Sequence, residues 1–369
     1  MIYLDYAANT PVDEKVLRSF YDATMTYTAN PNSSHPLGKI AKLKIDQASE
    51  NIGKIFNCDK ESIIYTSGSS ESNNLVIKGI CERYKNNGNH IIISAVEHSS
   101  IVAPVNYLVS NGYDVTIIPL DKNGKINLKE FKKAMTDKTI LVSICSVDSE
   151  LGTIQPIEEI AKIVKKYKNC YFHTDATQAI GKVEIDYSNV DFITFAPHKF
   201  FGLNGMGVLV NRNDIKITPL IHGGKSTTIY RSGTPVTANV IATDVALNLA
   251  IKNLKKRSTY IKKLNNILRK EFGTLDYVHI NSPEGAIPNT LNISLINKDT
   301  KSIIEQLNDK EIYVSTTTAC SLDNMPSKSV LAITGSEELA KNTIRISISH
   351  LTTEDDIDKF IKIFKKITR

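Results

Sequence analysis

Ile63-Ile64-Tyr65-Thr66-Ser67-Gly68-Ser69-Ser70-Glu71-Ser72 runs from three apolar residues through a turn of small residues into a helical pattern. A short continuous apolar run suits a strand buried on both faces, as in a mostly parallel sheet. Glycine and hydroxyl residues at a strand-to-helix turn leave backbone N–H groups facing outward at a helix N-terminus. That is in principle a cradle for phosphate, although an ordinary serine-rich helix cap uses the same residue types.

The strand-then-helix rhythm continues on both sides of this stretch. Upstream, Ala41, Ile45, Ala48, Ile52 and Ile55 place one apolar stripe on a helix. Downstream, apolar runs recur at Ile91-Ile92-Ile93, Val115-Thr116-Ile117-Ile118, Ile140 to Ile144, Tyr171-Phe172 and Phe192 to Phe195. Helical patterns such as Ile101 to Leu108 and Ile157 to Tyr167 lie between most of them. The expected fold class is α/β, with helices on both faces of a sheet. After about residue 210 the rhythm changes. A Gly-rich turn at His222-Gly223-Gly224 leads to a long helical stretch from Ala238 to Phe272, expected to break near Lys256. Strand-like Thr290 to Ile296, a helix near Ser302 to Leu307, and strand-like Ile312 to Val314 and Ile344 to Ile348 follow. The last helix carries Ile357, Phe360, Ile361, Phe364 and Ile367 on one face behind a capping-box-like Thr353-Glu354-Asp355-Asp356. This reading gives a large domain over 12–250 and a small α+β domain made of 1–11 and 251–369.

Composition excludes several classes. Apolar residues are 41% and charged residues 23% of the 369, which rules out a disordered or fibrous chain. Five scattered cysteines without a Cys-x-x-Cys pair fit neither a disulfide framework nor a zinc ribbon, so no metal is expected. The net charge of +6 comes from lysines spread over amphipathic segments, with no like-charge block. Direct nucleic-acid binding finds little support, and no apolar run reaches the roughly 20 residues of a membrane span. The first residues lack a signal-peptide pattern, and a cytoplasmic protein is the expectation.

Two further motifs stand at strand ends, where open α/β sheets bind ligands. His173-Thr174-Asp175-Ala176-Thr177-Gln178 offers an acid for a protonated ring nitrogen and an amide for a neighbouring oxygen. Phe195-Ala196-Pro197-His198-Lys199-Phe200-Phe201-Gly202 offers a lysine that could link covalently to a carbonyl cofactor. An Asp at a strand end is as often a helix cap, and a His-Lys pair alone says little.

Together these motifs resemble the class V aminotransferase group of pyridoxal 5'-phosphate (PLP) enzymes, and within it the cysteine desulfurases. The resemblance runs essentially end to end. It includes Tyr3-Leu4-Asp5-Tyr6-Ala7-Ala8, Asn30-Pro31-Asn32-Ser33-Ser34-His35, Glu97-His98, Arg231-Ser232-Gly233-Thr234, Ala319-Cys320 and Thr343-Ile344-Arg345. It implies the aspartate-aminotransferase type of fold (fold type I), with a mostly parallel seven-stranded sheet and a homodimer whose sites lie at the subunit interface. It implies that Lys199 carries PLP, that Asp175 pairs with the ring nitrogen, that Gln178 bonds the ring oxygen, and that His98 stacks on the ring and shuttles protons. Ser69, Ser70 and His198 would bind the phosphate, with Thr234 reaching in from the partner subunit and Ser149 near the ring. Arg345 and Asn30 would bind the substrate. Cys320 would take sulfur from L-cysteine as a persulfide and release alanine, for transfer to an iron–sulfur scaffold or tRNA thiolation enzyme. Thr316 to Ser321 is a polar setting suited to a reactive thiol. The other four cysteines are expected to be bystanders. Selenocysteine lyase or another PLP β-elimination enzyme is the neighbouring alternative, and a non-catalytic scaffold the distant one.

Some positions depart from the pattern. Ala196 stands where the family commonly has Ser, removing a phosphate hydroxyl, and Lys225 is expected to offset it. Val147-Asp148-Ser149-Glu150 replaces a Val-Asn-Asn-Glu stretch, Thr317-Thr318 replaces Gly-Ser, and Ser349-His350 replaces Gly-Arg. Ser149, Thr317 and His350 are expected near the substrate entrance. The stretch around Cys320 has no long insertion before the helix near residue 328, which resembles the branch with a compact cysteine loop.

Overall fold

The computed structural model describes residues 1–224, 226–316 and 325–368. A two-residue strand, β1 (Ile2–Tyr3), opens the chain. Helices α1 (Glu14–Thr26) and α2 (Pro36–Phe56) precede the alternating part. There β2 (Ile63–Thr66), α3 (Ser69–Tyr84), β3 (His90–Ser94), α4 (Ser99–Val109), β4 (Asp114–Ile118), α5 (Leu128–Ala134), β5 (Thr139–Ser143), α6 (Ile157–Val164), β6 (Tyr171–Asp175), β7 (Phe192–Phe195) and β8 (Gly207–Asn211) follow in turn. The seven strands from β2 to β8 form one sheet in the order β2-β8-β7-β6-β5-β3-β4. Only β8 runs against its neighbours; the other adjacent pairs are parallel.

Strand side chains alternate between two apolar layers, which is why the runs read as continuous in sequence. Ile63, Ile92, Ile193 and Phe195 face one core with Ile45, Ile52 and Phe131. Ile64, Ile91, Ile93 and Phe192 face the other, against Leu75, Ile80 and Val105. Six of the seven strands are the apolar runs expected from sequence. The seventh, β8, was missed. Its opening residue is fixed by packing, because a Cβ on Gly207 would lie 2.3 Å from the Gly68 carbonyl carbon.

The expected break near Lys256 does not occur. Helix α7 runs unbroken from Thr237 to Phe272. No glycine or proline interrupts those residues, and lysine and arginine are good helix formers. Its first half packs Ala242, Ala246 and Ala250 into the sheet core. Its second half gives Ile261, Leu264, Leu268 and Phe272 to a separate core. The second core is built on β9 (Val278–Ile280), β10 (Thr290–Leu295), α8 (Thr300–Asn308), β11 (Ile312–Tyr313), β12 (Thr343–Ser347) and α11 (Glu354–Ile367), while α9 (Lys328–Thr334) and α10 (Glu337–Lys341) pack Val330 and Ala340 against Leu151. Strands β12, β10 and β9 are antiparallel neighbours, and β1 pairs with β11, bringing Ile2 and Leu4 into that core. The capping box at Thr353 and Asp356 forms as expected. No helix among the described residues is long and apolar enough to cross a membrane.

Candidate active site

The carboxyl ends of the parallel strands open into a cleft holding about 880 Å³ of free space, counting solvent at its mouth. Gly68, Ser69 and Ser70 follow β2, His98 follows β3, Cys145 to Ser149 follow β5, Asp175 ends β6, and Lys199 follows β7. Thr177, Gln178, His198 and Arg345 complete the lining with Ala7 and Ala8. Nine of the twelve expected site residues therefore line one cavity.

Asp175 is tied at both oxygens. The Thr177 N–H donates to Oδ1 and the Asn73 amide to Oδ2, each at 2.9 Å. The same Asn73 nitrogen donates to Ser100 Oγ at 2.9 Å, which lies 2.8 Å from His98 Nδ1. His98 caps α4, its Nδ1 accepting from the Ser100 N–H at 3.1 Å. A backbone N–H only donates, so this network assigns the hydrogen of the neutral ring to Nε2. Burial holds the His98 pKa below the usual range, and the Lys199 charge adds to that while Asp175 opposes it.

Lys199 donates to the carbonyls of Ala7 at 3.1 Å and Ala8 at 2.6 Å. Its turn is clipped by Thr10, whose hydroxyl donates to His198 O at 2.8 Å and accepts from the Phe201 N–H at 2.7 Å. Gln178 donates to Ala7 O at 3.0 Å and accepts from Lys182. The N-terminal segment thus straps across the cleft. Burial, then the Lys199 and Lys182 charges, push His198 down to about 4.

At the rim, Arg345 donates to Asp5 Oδ1 at 2.9 Å and to Ser149 O at 3.2 Å. Its backbone pairs with Ser315, at 2.7 Å and 3.2 Å. Ser329 donates to Asp148 at 2.9 Å, and Ser327 to Glu150. Both flanks of the stretch holding Cys320 are therefore fixed beside Ser149 and Arg345. Cys320 itself, with Thr317, lies outside the described residues, as does Lys225.

Some expected residues stand elsewhere. Thr234 is exposed and lines no part of the cleft of its own chain, and Asn30 is also exposed, its side chain accepting from the Asn32 N–H. His350 lines a neighbouring cavity and packs edge-on against Phe201, with ring centres 4.5 Å apart. Cys145, expected to be a bystander, lines the cleft. Burial, followed by the Glu97 and Asp148 charges, raises its thiol well above the usual range, so it is a poor nucleophile. Sequence reasoning missed Asn73, Ser100 and Lys182. Asn73 had a signal, since it falls among Val76, Ile77 and Ile80 on the buried face of α3.

The donor set fits PLP. The cleft presents a helix N-terminus whose cap, Gly68, makes no side-chain bond and whose Cβ position is open, an acid held by two donors, a lysine amine, and a buried Thr177 hydroxyl without a partner.

The chain matches the family model Aminotransferase class-V over residues 2–360. It belongs to that family. It is also 36% identical to a cysteine desulfurase, IscS, of Dictyoglomus turgidum over 371 residues, covering 99% of this chain and 94% of that protein. Among solved structures, a NifS-like protein superposes with a TM-score of 0.93 at 32% identity, covering 99% of this chain and 98% of that one. SspA in complex with cysteine gives 0.83 at 31% identity, covering 94% and 99%. Class-V aminotransferase membership agrees with the mostly parallel α/β sheet and with PLP as the cofactor.

Proposed function

We propose that the protein is a PLP-dependent cysteine desulfurase that converts L-cysteine to L-alanine and carries the sulfur as a Cys320 persulfide. The convergence of Lys199, Asp175, Gln178, His98 and Arg345 on one cleft carries this reading. In it, residues 12–250 hold the cofactor, while 1–11 and 251–369 carry the cysteine segment. The separate apolar core around Leu264, Phe272 and Phe360 supports that division.

PLP bound at Lys199 supplies an electron sink for carbanion chemistry. Asp175, oriented by its Thr177 and Asn73 donors, would pair with the ring nitrogen. Gln178 would donate to the ring oxygen, and Ser69, Ser70 and His198 would receive the phosphate with the α3 N-terminus. Ser149, which lines the same cleft, would offer a hydroxyl near the ring. His98 keeps a proton on Nε2 for transfer in the cleft. Arg345 would receive the substrate, its guanidinium taking the carboxylate, whereas Asn30 stands exposed outside the cleft of its own chain. The Cys320 thiolate attacks the substrate sulfur and forms the S–S bond. The carbon–sulfur electron pair stays on the substrate carbon, which a proton then quenches to give alanine.

In this reading two copies pair, and Thr234 serves the partner's site. Exposed Leu17, Tyr21 and Met25 on α1, and Leu37, Ile40 and Leu43 on α2, support such a surface. The sulfur then passes to an acceptor protein, an iron–sulfur scaffold or a tRNA thiolation enzyme, in the reducing cytoplasm. A visible absorbance band formed with PLP, and absent from Lys199→Ala, tests the cofactor reading. A Lys199→Ala protein that keeps the band contradicts it.

A further inference from the structure

We propose that Lys182 is a positioning residue that locks the carboxamide of Gln178 with its nitrogen, rather than its oxygen, available to the cleft. The inference rests on the PLP reading above and deepens it. Gln178 is held from both ends. Its Nε2 donates to Ala7 O at 3.0 Å, and its Oε1 accepts from the Lys182 ammonium. A carbonyl only accepts and an ammonium only donates. Turning the amide over would set oxygen against oxygen and NH₂ against NH₃⁺, so the two contacts allow one orientation. In that orientation the second Nε2 hydrogen is uncommitted, and Gln178 lines the cleft. The amide therefore offers a donor to an electron-rich ring oxygen. Without Lys182 only the weaker Ala7 contact would select that state.

The surroundings of Lys182 support a role beyond filling space. Its side chain lines a second cavity of about 510 Å³, shared with Tyr6, Lys199, Phe201, Arg257 and His350. Among the described residues no carboxylate pairs with it, and its side-chain hydrogen bond is to the Gln178 oxygen. Burial, then the Lys199 and Arg345 cations, bring its pKa down to about 7. A methionine would occupy similar space without desolvating an amine, so what distinguishes Lys182 there is the donor it gives to the Gln178 oxygen. It touches the amide, and acts on the cofactor only through it.

The test is PLP binding to apoprotein, read as a dissociation constant and as the wavelength of the visible band. The wild type is titrated first; if it forms no band, the cofactor reading fails before Lys182 is at issue. Given a band, Lys182→Met is expected to weaken PLP about tenfold, the loss of one charge-assisted contact to the amide, and to move the band. Lys182→Arg, still an obligate donor, stays near wild type. Gln178→Ala shows the same loss, and adding Lys182→Met to it changes the affinity less than twofold. If Lys182→Met does not fold, Lys182→Gln replaces it with the same expectations, because an amide can itself turn over. Wild-type affinity and band in the folded variant overturn the proposal. An undiminished Lys182 effect in the Gln178→Ala background also overturns it, since Lys182 would then act without the amide.

Discussion

Arg345 on β12 donates from Nη2 to Asp5 Oδ1 at 2.9 Å, joining residues 340 positions apart, with the arginine side chain only 2% exposed. The group assigned to the substrate carboxylate is thus already engaged by a carboxylate of the N-terminal strap. Substrate must share or displace Asp5. Asp5→Asn is expected to lower the KM for L-cysteine while reducing stability by about 1 kcal/mol, since Asp5 is part-buried and the amide oxygen still accepts from Arg345. Arg345→Lys should raise KM at least tenfold by losing the planar fork. Steady-state kinetics and urea unfolding check both.

Asn73 ties Asp175 to Ser100, and through Ser100 to His98. Asn73→Ala leaves the buried acid with one donor fewer, at an expected cost of about 1–3 kcal/mol. Weaker PLP retention on dialysis, together with a lower urea midpoint, is the predicted pair of effects. Asn73→Ala retaining PLP like the wild type would contradict the linkage.

Two buried carboxyls make stability depend on pH. Burial raises Glu97 from 4.5 to about 8, against the bonds from Ser94 and the Cys145 N–H. Burial, reinforced by Asp148, raises Glu150 from 4.5 to about 7. A folded-state pKa above the unfolded one means that the folded protein keeps a proton the unfolded chain has released. Their contribution is therefore whole below about pH 4.5 and is lost as pH climbs toward 7 and 8. Across that window each carboxyl lowers the unfolding free energy by up to about 1.4 kcal/mol per pH unit. Glu97→Gln should flatten the slope between pH 5 and 8, as read from urea midpoints at several pH values.

The α/β class was legible because β2, β3, β5 and β7 are buried along their whole length and so appear as unbroken apolar runs. Strand β8 has an equally buried Gly-Val-Leu-Val-Asn run. Its opening glycine, with Gly202 and Gly205 just before it, leaves an apolar run of only Val208-Leu209-Val210 to mark it. Lys199, Asp175 and His98 were legible because they end strands or open helices in recognisable motifs. Lys182 was not, because its meaning lies in a contact with one amide, and no spacing marks it. Asn73 joins residues 102 positions apart in the case of Asp175, a pairing that only the folded chain brings about.

The most direct measurement is alanine formed from L-cysteine, in the presence of a thiol reductant, by the wild type and by Cys320→Ser. The account predicts equal alanine and sulfide from the wild type, and a loss of at least a hundredfold in alanine from the variant, with PLP still bound. Alanine formed by Cys320→Ser at the wild-type rate would contradict the persulfide route.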